Sequence, residues 1–345
     1  MDPEKIHIWN VRGLNSRSRQ DVVRTLVDSA RVDVVCLQET KMPSISPRDV
    51  FSMLGADFSQ FIFLPSVGAS GGILVTWRRD VGVTGLTRVD NQSVLVQFSS
   101  RNNHPWWLTC VYGPQGTEQK IEFLQELRDI RQACLGPWTI AGDYNLIYRE
   151  EDKSNDNFNR AMMGHFRRLI NDLGLKEIPL HGRKFTWANN HVSVKLDRVL
   201  CSVEWEELFS NCLLQSAASD DSDHCPLILG MNDIKPVKRR FHFESFWPKL
   251  EGLQEAVEEA WNSAPVVPCP FETLYRKLQA TSKTLQGWSQ KNVGHVKTQL
   301  GLAREVLHQL EIAQDGRALT PIEIWLRNYL KKHTLVFSSL LWAIR

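Results

Sequence analysis

Hydrophobic positions in the first 230 residues alternate between two spacings. Residues 6–11, 32–37, 61–64, 72–77, 94–98, 107–112 and 138–141 are short runs rich in Val, Ile and Trp, which predict strands. Between them, residues 19–30, 118–133 and 159–173 carry apolar residues three and four apart, the spacing of helices with one buried face. Strands and helices interleaved in this way predict a layered α/β body. Several predicted strands run out in polar residues, namely Asn10, Glu39, Tyr112 and Asp143. A site gathered along one edge of a sheet core is therefore expected.

Near Met231 the strand-like runs stop, and Lys235-Pro236-Val237-Lys238-Arg239-Arg240 follows. This divides the chain into a body at 1–231, a basic linker at 232–270 and a helical connector at 271–345. In the connector, Val293, Val296, Leu300, Ala303, Leu307 and Leu310 form one heptad-like seam, and Leu274, Leu278, Thr281, Leu285 and Trp288 form another. Two adjacent seams suit an antiparallel hairpin, with a homodimeric coiled coil as the alternative. Thr320-Pro321-Ile322-Glu323 predicts a helix start, with an N-cap hydroxyl, a proline at the first turn and a glutamate closing a capping box. The last helix runs to the chain end without a stop signal, as expected of a fragment.

Charge sharpens this division. The net charge of +2 hides 25 Lys+Arg against 29 Asp+Glu in residues 1–233, or −4, and 16 against 10 beyond, or +6. A basic tail suggests contact with nucleic acid; a solvated helical face would show the same composition. Seven cysteines with no C-x-x-C offer neither a disulfide framework nor a zinc site, which fits a reducing, intracellular setting. No run approaches the roughly 18 apolar residues of a membrane span, so no membrane partner is expected.

Three segments carry candidate chemistry. Glu39 is a carboxylate delivered by an apolar strand to its exposed end, where hard oxygen ligation of a cation is feasible. Gly142-Asp143-Tyr144-Asn145 places an acid and an amide two apart after a strand, on one face if the strand continues, or in a turn if it does not. Asp143 would then orient or deprotonate a water, and Asn145 would donate to a phosphate. Ser222-Asp223-His224, just before the apolar 227–229 run and in a cluster with Asp220 and Asp221, offers an imidazole as general base; Asp197 is a distant carboxylate to fix its tautomer.

Taken in order, Trp9-Asn10-Val11-Arg12-Gly13-Leu14, Gln38-Glu39-Thr40, Val111-Tyr112-Gly113, Gly142-Asp143-Tyr144-Asn145, Thr186-Trp187, Leu196-Asp197-Arg198 and Ser222-Asp223-His224 resemble the endonuclease/exonuclease/phosphatase superfamily over residues 5–231. The resemblance implies a four-layer α-β-β-α sandwich of two mixed sheets, followed by the all-helical segment. It implies Mg²⁺, with Mn²⁺ as the alternative, held by Glu39 with Asn10 in support and Asp223 close by. Asp143 and Asn145 would handle the water and the scissile phosphate, and Tyr112 would contact the phosphate. Thr186 and Ser222 would bind substrate, as would Lys238, Arg239 and Arg240 from the basic stretch. His224 would sit at the phosphate, oriented by Asp197.

Apurinic/apyrimidinic endonucleases usually carry an acid where this chain has Arg12. Trp-Asn-x-Arg-Gly-Leu, residues 71–74 and the aromatic stretch 241–247 instead look like LINE-type retrotransposons of plants. A DNA-nicking enzyme acting in the nucleus is the implied function, with element RNA as a partner only through a reverse transcriptase absent from this sequence. A phosphatase or other diesterase on the same fold is the first alternative, since surface loops choose the substrate. An inactive nucleic-acid-binding relic is the second.

Overall fold

The computed structural model describes residues 4–68, 70–99, 104–189, 191–218, 222–231, 243, 247–249, 251–292 and 294–343. Its first sheet draws on β1 (Ile6–Asn10), β2 (Val34–Gln38), β3 (Gln60–Val67) and β4 (Ser70–Trp77); its second begins with β5 (Gly82–Val89), β6 (Ser93–Ser99), β7 (Pro105–Tyr112) and β8 (Trp138–Asp143). The short strands β9 (Leu175–Glu177), β10 (Leu180–His181), β11 (Trp187–Ala188) and β12 (Ser193–Val194) precede β13 (Asp197–Ser202), β14 (Leu213–Ser216) and β15 (Leu227–Gly230). Seven strands form a mixed sheet in the order β10-β14-β15-β1-β2-β4-β3, and six form a second in the order β5-β6-β7-β8-β13-β9.

Alternation along each strand decides what lies between the sheets. Ile6 and Ile8 of β1, Val34 and Cys36 of β2, Leu108 and Cys110 of β7, and Ala141 of β8 all meet in one central core. Their outward neighbours meet helices. Val35 and Leu37 pack under α1 (Arg17–Ala30) and α2 (Pro47–Leu54), while Ile140 packs under α3 (Thr117–Ala133) and α4 (Arg160–Asp172). Period-two strands with both faces covered by helices produce the expected α-β-β-α sandwich. A short α5 (Val203–Leu208) adds Trp205 to the central core.

Several elements escape the hydrophobic pattern, among them α2, β5, the two- and three-residue strands β9 to β12, and β13, whose six residues are all buried and so do not alternate. The eight residues of α2 give too short a period to read, although Ser46 caps the helix in a box with Asp49, and Pro47 sits in the first turn. β5 lies at a sheet edge with most of its side chains exposed, so no core face imprints alternation on it.

Beyond the body come α6 (Leu253–Ser263), α7 (Pro270–Asn292), α8 (Gly294–Gly316) and α9 (Pro321–Ala343). The capping box at Thr320 is present: its backbone N–H donates to Glu323 Oε2 at 2.8 Å, and its hydroxyl accepts from the Glu323 N–H at 3.3 Å. α8 packs on α9, and α9 packs back on α1 of the body, with Leu335 against the cluster beneath α1 and α2. Of the α8 seam, Leu300, Leu307 and Leu310 are buried; Val293 and the Val296 side chain lie outside the described residues. The α7 seam behaves differently, with Leu285 buried but Leu274 and Leu278 about half exposed, at 48% and 55%.

Candidate active site

Register builds the site. β1 and β2 run parallel, with Asn10 opposite Gln38, so Asn10 and Glu39 emerge together at one end of the first sheet. β7 and β8 also run parallel, with Tyr112 opposite Asp143, and β13 runs antiparallel to β8 with Asp197 opposite the same Asp143. Tyr112, Asp143 and Asp197 thus form a row across the second sheet. The two sheet ends meet where Asn10 Nδ2 donates to Asp143 Oδ2 at 2.9 Å, across 133 residues of sequence.

His224 enters from the first sheet, just before β15. Its Nδ1 lies 2.8 Å from Asp197 Oδ2, and its Nε2 lies 3.8 Å from Asp143 Oδ2. Burial lowers the imidazole pKa, but Asp197 and Asp143 outweigh it and raise the value to about 9. Burial likewise raises Asp143, to about 6, with His224 pulling it down and Asp197 pushing it up. The charged imidazolium is thereby favoured, which suits a donor to phosphate better than the general base the sequence alone suggested.

Asp143 and Asn145 come together through a turn, and strand spacing has no part in it. β8 ends at Asp143, Tyr144 swings into the core beneath α3 and α4, and Asn145 takes φ +51°. Asp143 Oδ1 accepts the Asn145 N–H at 2.9 Å, closing an Asx turn. The Asn145 amide is then held at both ends, its Nδ2 donating to Gly113 O at 2.7 Å and its Oδ1 accepting from Gln115 at 2.8 Å. The turn and site readings of this segment describe one object.

Glu39 also sits in the left-handed region, at φ +54°, with Lys41 Nζ 3.0 Å from its Oε1. Left-handed backbone at side-chain-bearing residues costs free energy and concentrates at functional sites. Of the five such residues among those described, Arg12, Glu39 and Asn145 line this cleft and Lys41 stands beside it, paired to Glu39. The Tyr112 hydroxyl is hydrogen-bonded to Glu39; burial first, then the Glu39 and Asp143 carboxylates, keep it protonated.

Asp223 is claimed on one side, its Oδ2 accepting from Arg12 Nη1 at 2.7 Å and from Trp187 Nε1 at 2.8 Å. Its Oδ1, like Asp197 Oδ1, is buried without a hydrogen-bond partner. Asp143, Asp197 and His224 each offer a ligand atom within 4.8 Å of the others. The unpartnered oxygens of Asp197 and Asp223 are hard donors of the kind a divalent cation takes, whereas His224 could join them only as the neutral ring.

Thr186 and Ser222 stand behind the site. The Thr186 side chain is fully buried, and its hydroxyl accepts the N–H groups of Leu196 and Asp197, both at 2.9 Å. Ser222 donates to Asn10 O at 2.8 Å and accepts the His224 N–H at 3.1 Å, tying the metal side to the imidazole side. Lys238, Arg239 and Arg240 lie outside the described residues, as do Asp220 and Asp221. Sequence reasoning missed Gln115 and Lys120, gave Trp187 no role, and missed an apolar wall of Phe158, Met162 and Met163 lining the same cleft of about 580 Å³. Lys120, three residues into α3, was legible only as a solvated helix residue; burial pulls its ammonium pKa down against the opposing pull of Asp143.

The Endonuclease/Exonuclease/phosphatase family profile matches residues 8–224, which span every residue of this cleft. The chain belongs to that family. Among solved structures it is similar to an AP endonuclease of Leishmania major, with TM-score 0.54 and 18% identity, covering 67% of this chain and 88% of that one. It is also similar to an AP endonuclease of Archaeoglobus fulgidus, with TM-score 0.51 and 18% identity over 67% and 100% of the two chains. The endonuclease domain of TRAS1, a telomere-specific non-LTR retrotransposon, gives TM-score 0.51 and 14% identity over 68% and 100%. By sequence, no curated protein matches the chain. At these identities the structural likenesses speak for the shared fold.

Proposed function

We propose that the chain is a Mg²⁺-dependent phosphodiesterase that nicks DNA in the service of a LINE-type retrotransposon. The observation that carries the reading is the His224–Asp197 pair, 2.8 Å apart and beside Asp143, where the two sheets meet. Glu39, flanked by Asn10 and Asp223, would hold the cation, and Mn²⁺ would satisfy the same oxygen donors. When bound, the cation neutralises phosphate charge. The chain's own groups do the rest. Asp143 orients the attacking water, Asn145 and the protonated Tyr112 donate to phosphate oxygens, and His224 donates from Nε2 as charge develops. Asp197, accepting from Nδ1, stabilises the imidazolium and holds the ring so that its Nε2–H faces the phosphate.

The retrotransposon reading rests on Trp9-Asn10-Val11-Arg12-Gly13-Leu14 and on the basic run at 235–240, which would also direct the chain to the nucleus. Arg12 supports it structurally, because its guanidinium occupies the Asp223 carboxylate where an acid would repel it.

Supercoiled plasmid is the direct test. Relaxation to the nicked circle should require Mg²⁺ and stop on chelation. Glu39→Ala and His224→Ala should each lower the rate by about 10²- to 10⁴-fold, the range of a lost general catalyst. Undiminished nicking by Glu39→Ala would remove the metal assignment. Turnover of inositol phosphates with an intact plasmid would move the activity to the phosphatase branch.

A further inference from the structure

A strap of chain at 183–188 separates the helical tail from the candidate active site. On the tail side, Arg183 is almost fully buried and meets two carboxylates of α8, Glu311 at 3.4 Å and Asp315 at 3.1 Å, all three side chains 4–7% exposed. The second oxygen of Asp315 accepts backbone N–H groups from Lys184 at 2.7 Å and Phe185 at 3.3 Å. One residue further on, the strap turns to the site. Thr186 O accepts the Cys225 N–H at 2.8 Å, and the Thr186 hydroxyl accepts the Asp197 N–H at 2.9 Å. Trp187 bridges to His224 and donates to Asp223, and the Ala188 N–H donates to Asp223 O at 3.2 Å. Every residue of the His224–Asp197 pair and its neighbour Asp223 is thus hung on this one segment.

A buried ionic cluster stabilises poorly, because desolvation of its charges offsets most of their attraction; its best-attested use is to fix register. Here the register fixed is that of α8 against the strap. Among the described residues, Asp315 supplies the side-chain oxygen that accepts both the Lys184 and the Phe185 N–H. Those two amides lead into Thr186, so a shift of α8 reaches the Asp197 backbone through one peptide unit and one hydroxyl, and the imidazole through the Asp197 carboxylate.

We propose that Asp315 of the helical tail is a positioning residue for the candidate active site, setting the strap that aligns Asp197 with His224. The tail is then part of the hydrolytic apparatus, and any ligand that displaces α8 alters the rate of the nuclease body. The proposal rests on the reading of the His224–Asp197 pair as the hydrolytic site.

The test uses the full chain and two readouts. The first is Mg²⁺-dependent nicking, resolved into kcat and KM. The second is the downfield proton resonance of the His224–Asp197 hydrogen bond in the metal-free protein, assigned by its loss in His224→Gln. Asp315→Ala should lower kcat about tenfold with KM within twofold, and should shift or broaden the resonance. Asp315→Asn, which keeps an oxygen for the strap amides, should recover kcat to within threefold. Glu311→Gln, which disturbs the ion cluster and leaves the strap amides alone, should stay within twofold of the unaltered chain. If Asp315→Ala does not fold, Asp315→Glu moves the carboxylate by one methylene with its charge intact, and the same changes are expected. An unaltered resonance and kcat in the folded variant would overturn the proposal. If the unaltered chain fails to nick DNA, the functional reading falls, while the resonance still reports whether Asp315 sets the pair.

Discussion

His7, the second residue of β1, lies wholly inside the molecule, with neither ring nitrogen hydrogen-bonded and its ring edge-on to Trp9, 6.1 Å between centroids. Burial lowers its pKa from 6.5 to about 4. Between those values the unfolded chain binds a proton that the folded chain refuses, so stability is complete above pH 6.5 and falls as the pH drops toward 4. The slope from this residue approaches about 1.4 kcal/mol per pH unit. His7→Leu should flatten the acid limb of a plot of urea midpoint against pH; parallel limbs for the two proteins would show that His7 protonates inside the fold. In the sequence His7 lies between two isoleucines while His224 closes an acidic cluster, and the carboxylates that the fold brings to one and withholds from the other send their pKa values in opposite directions.

At the level of elements, the contact between β7 and β8 depends on a residue with no side chain. Gly142 adopts φ +141°, and a Cβ there would lie 2.1 Å from Val111 O of the neighbouring strand. Gly142→Ala must push apart the two parallel strands that present Tyr112 and Asp143. A loss on the order of 3 kcal/mol is expected, together with most of the nicking activity. Gly164, inside α4 with open space around it, is the control: alanine there should stabilise by about 0.5–1 kcal/mol through its better helix propensity. Paired thermal melts separate the cases, and equal melting temperatures for the two variants would refute the steric argument. The strands and the longer helices were legible because each has a buried face that writes a period into the sequence. α2 and the strands β9 to β12 were not, being too short to show a period, nor were β5, too exposed to have one, and β13, buried on both faces.

At the level of the whole molecule, the charge is divided between residues 1–233 at −4 and residues 234–345 at +6. Under the nucleic-acid reading, Lys235, Lys238, Arg239 and Arg240 displace counterions from phosphates without choosing sequence. Exchanging these four residues for serine should make the plot of log affinity against log salt shallower by up to about 3–4, at roughly 0.9 per contact, and leave the nick map unaltered. An identical slope would mean that the basic stretch does not reach DNA. The described tail helices do not stand apart from the body, since α9 lies on α1 and α8 is locked to the strap at Arg183. The hairpin expected of the two seams would pair α7 with α8; α8 instead packs mainly on α9, and much of the α7 seam faces solvent.

Local sequence determined where strands and helices form and which polar residues stand at strand ends, because burial of one face imposes a period of two or 3.6 that the chain carries by itself. It also held the short segments whose order marks the family. Tertiary structure alone decided which of those residues share a site. Asn10 reaches Asp143 across 133 residues, and Arg12 reaches Asp223 across 211, because two sheets pack with their ends together. It decided that Thr186 and Ser222 turn their hydroxyls to backbone beneath the cleft, since a buried hydroxyl must find a partner and the nearest are the amides of Asp197 and His224. It also brought Asp315 to the strap from 130 residues away. Hydrophobic periodicity runs along the chain in one dimension. The direction of a polar side chain depends on what surrounds it in three.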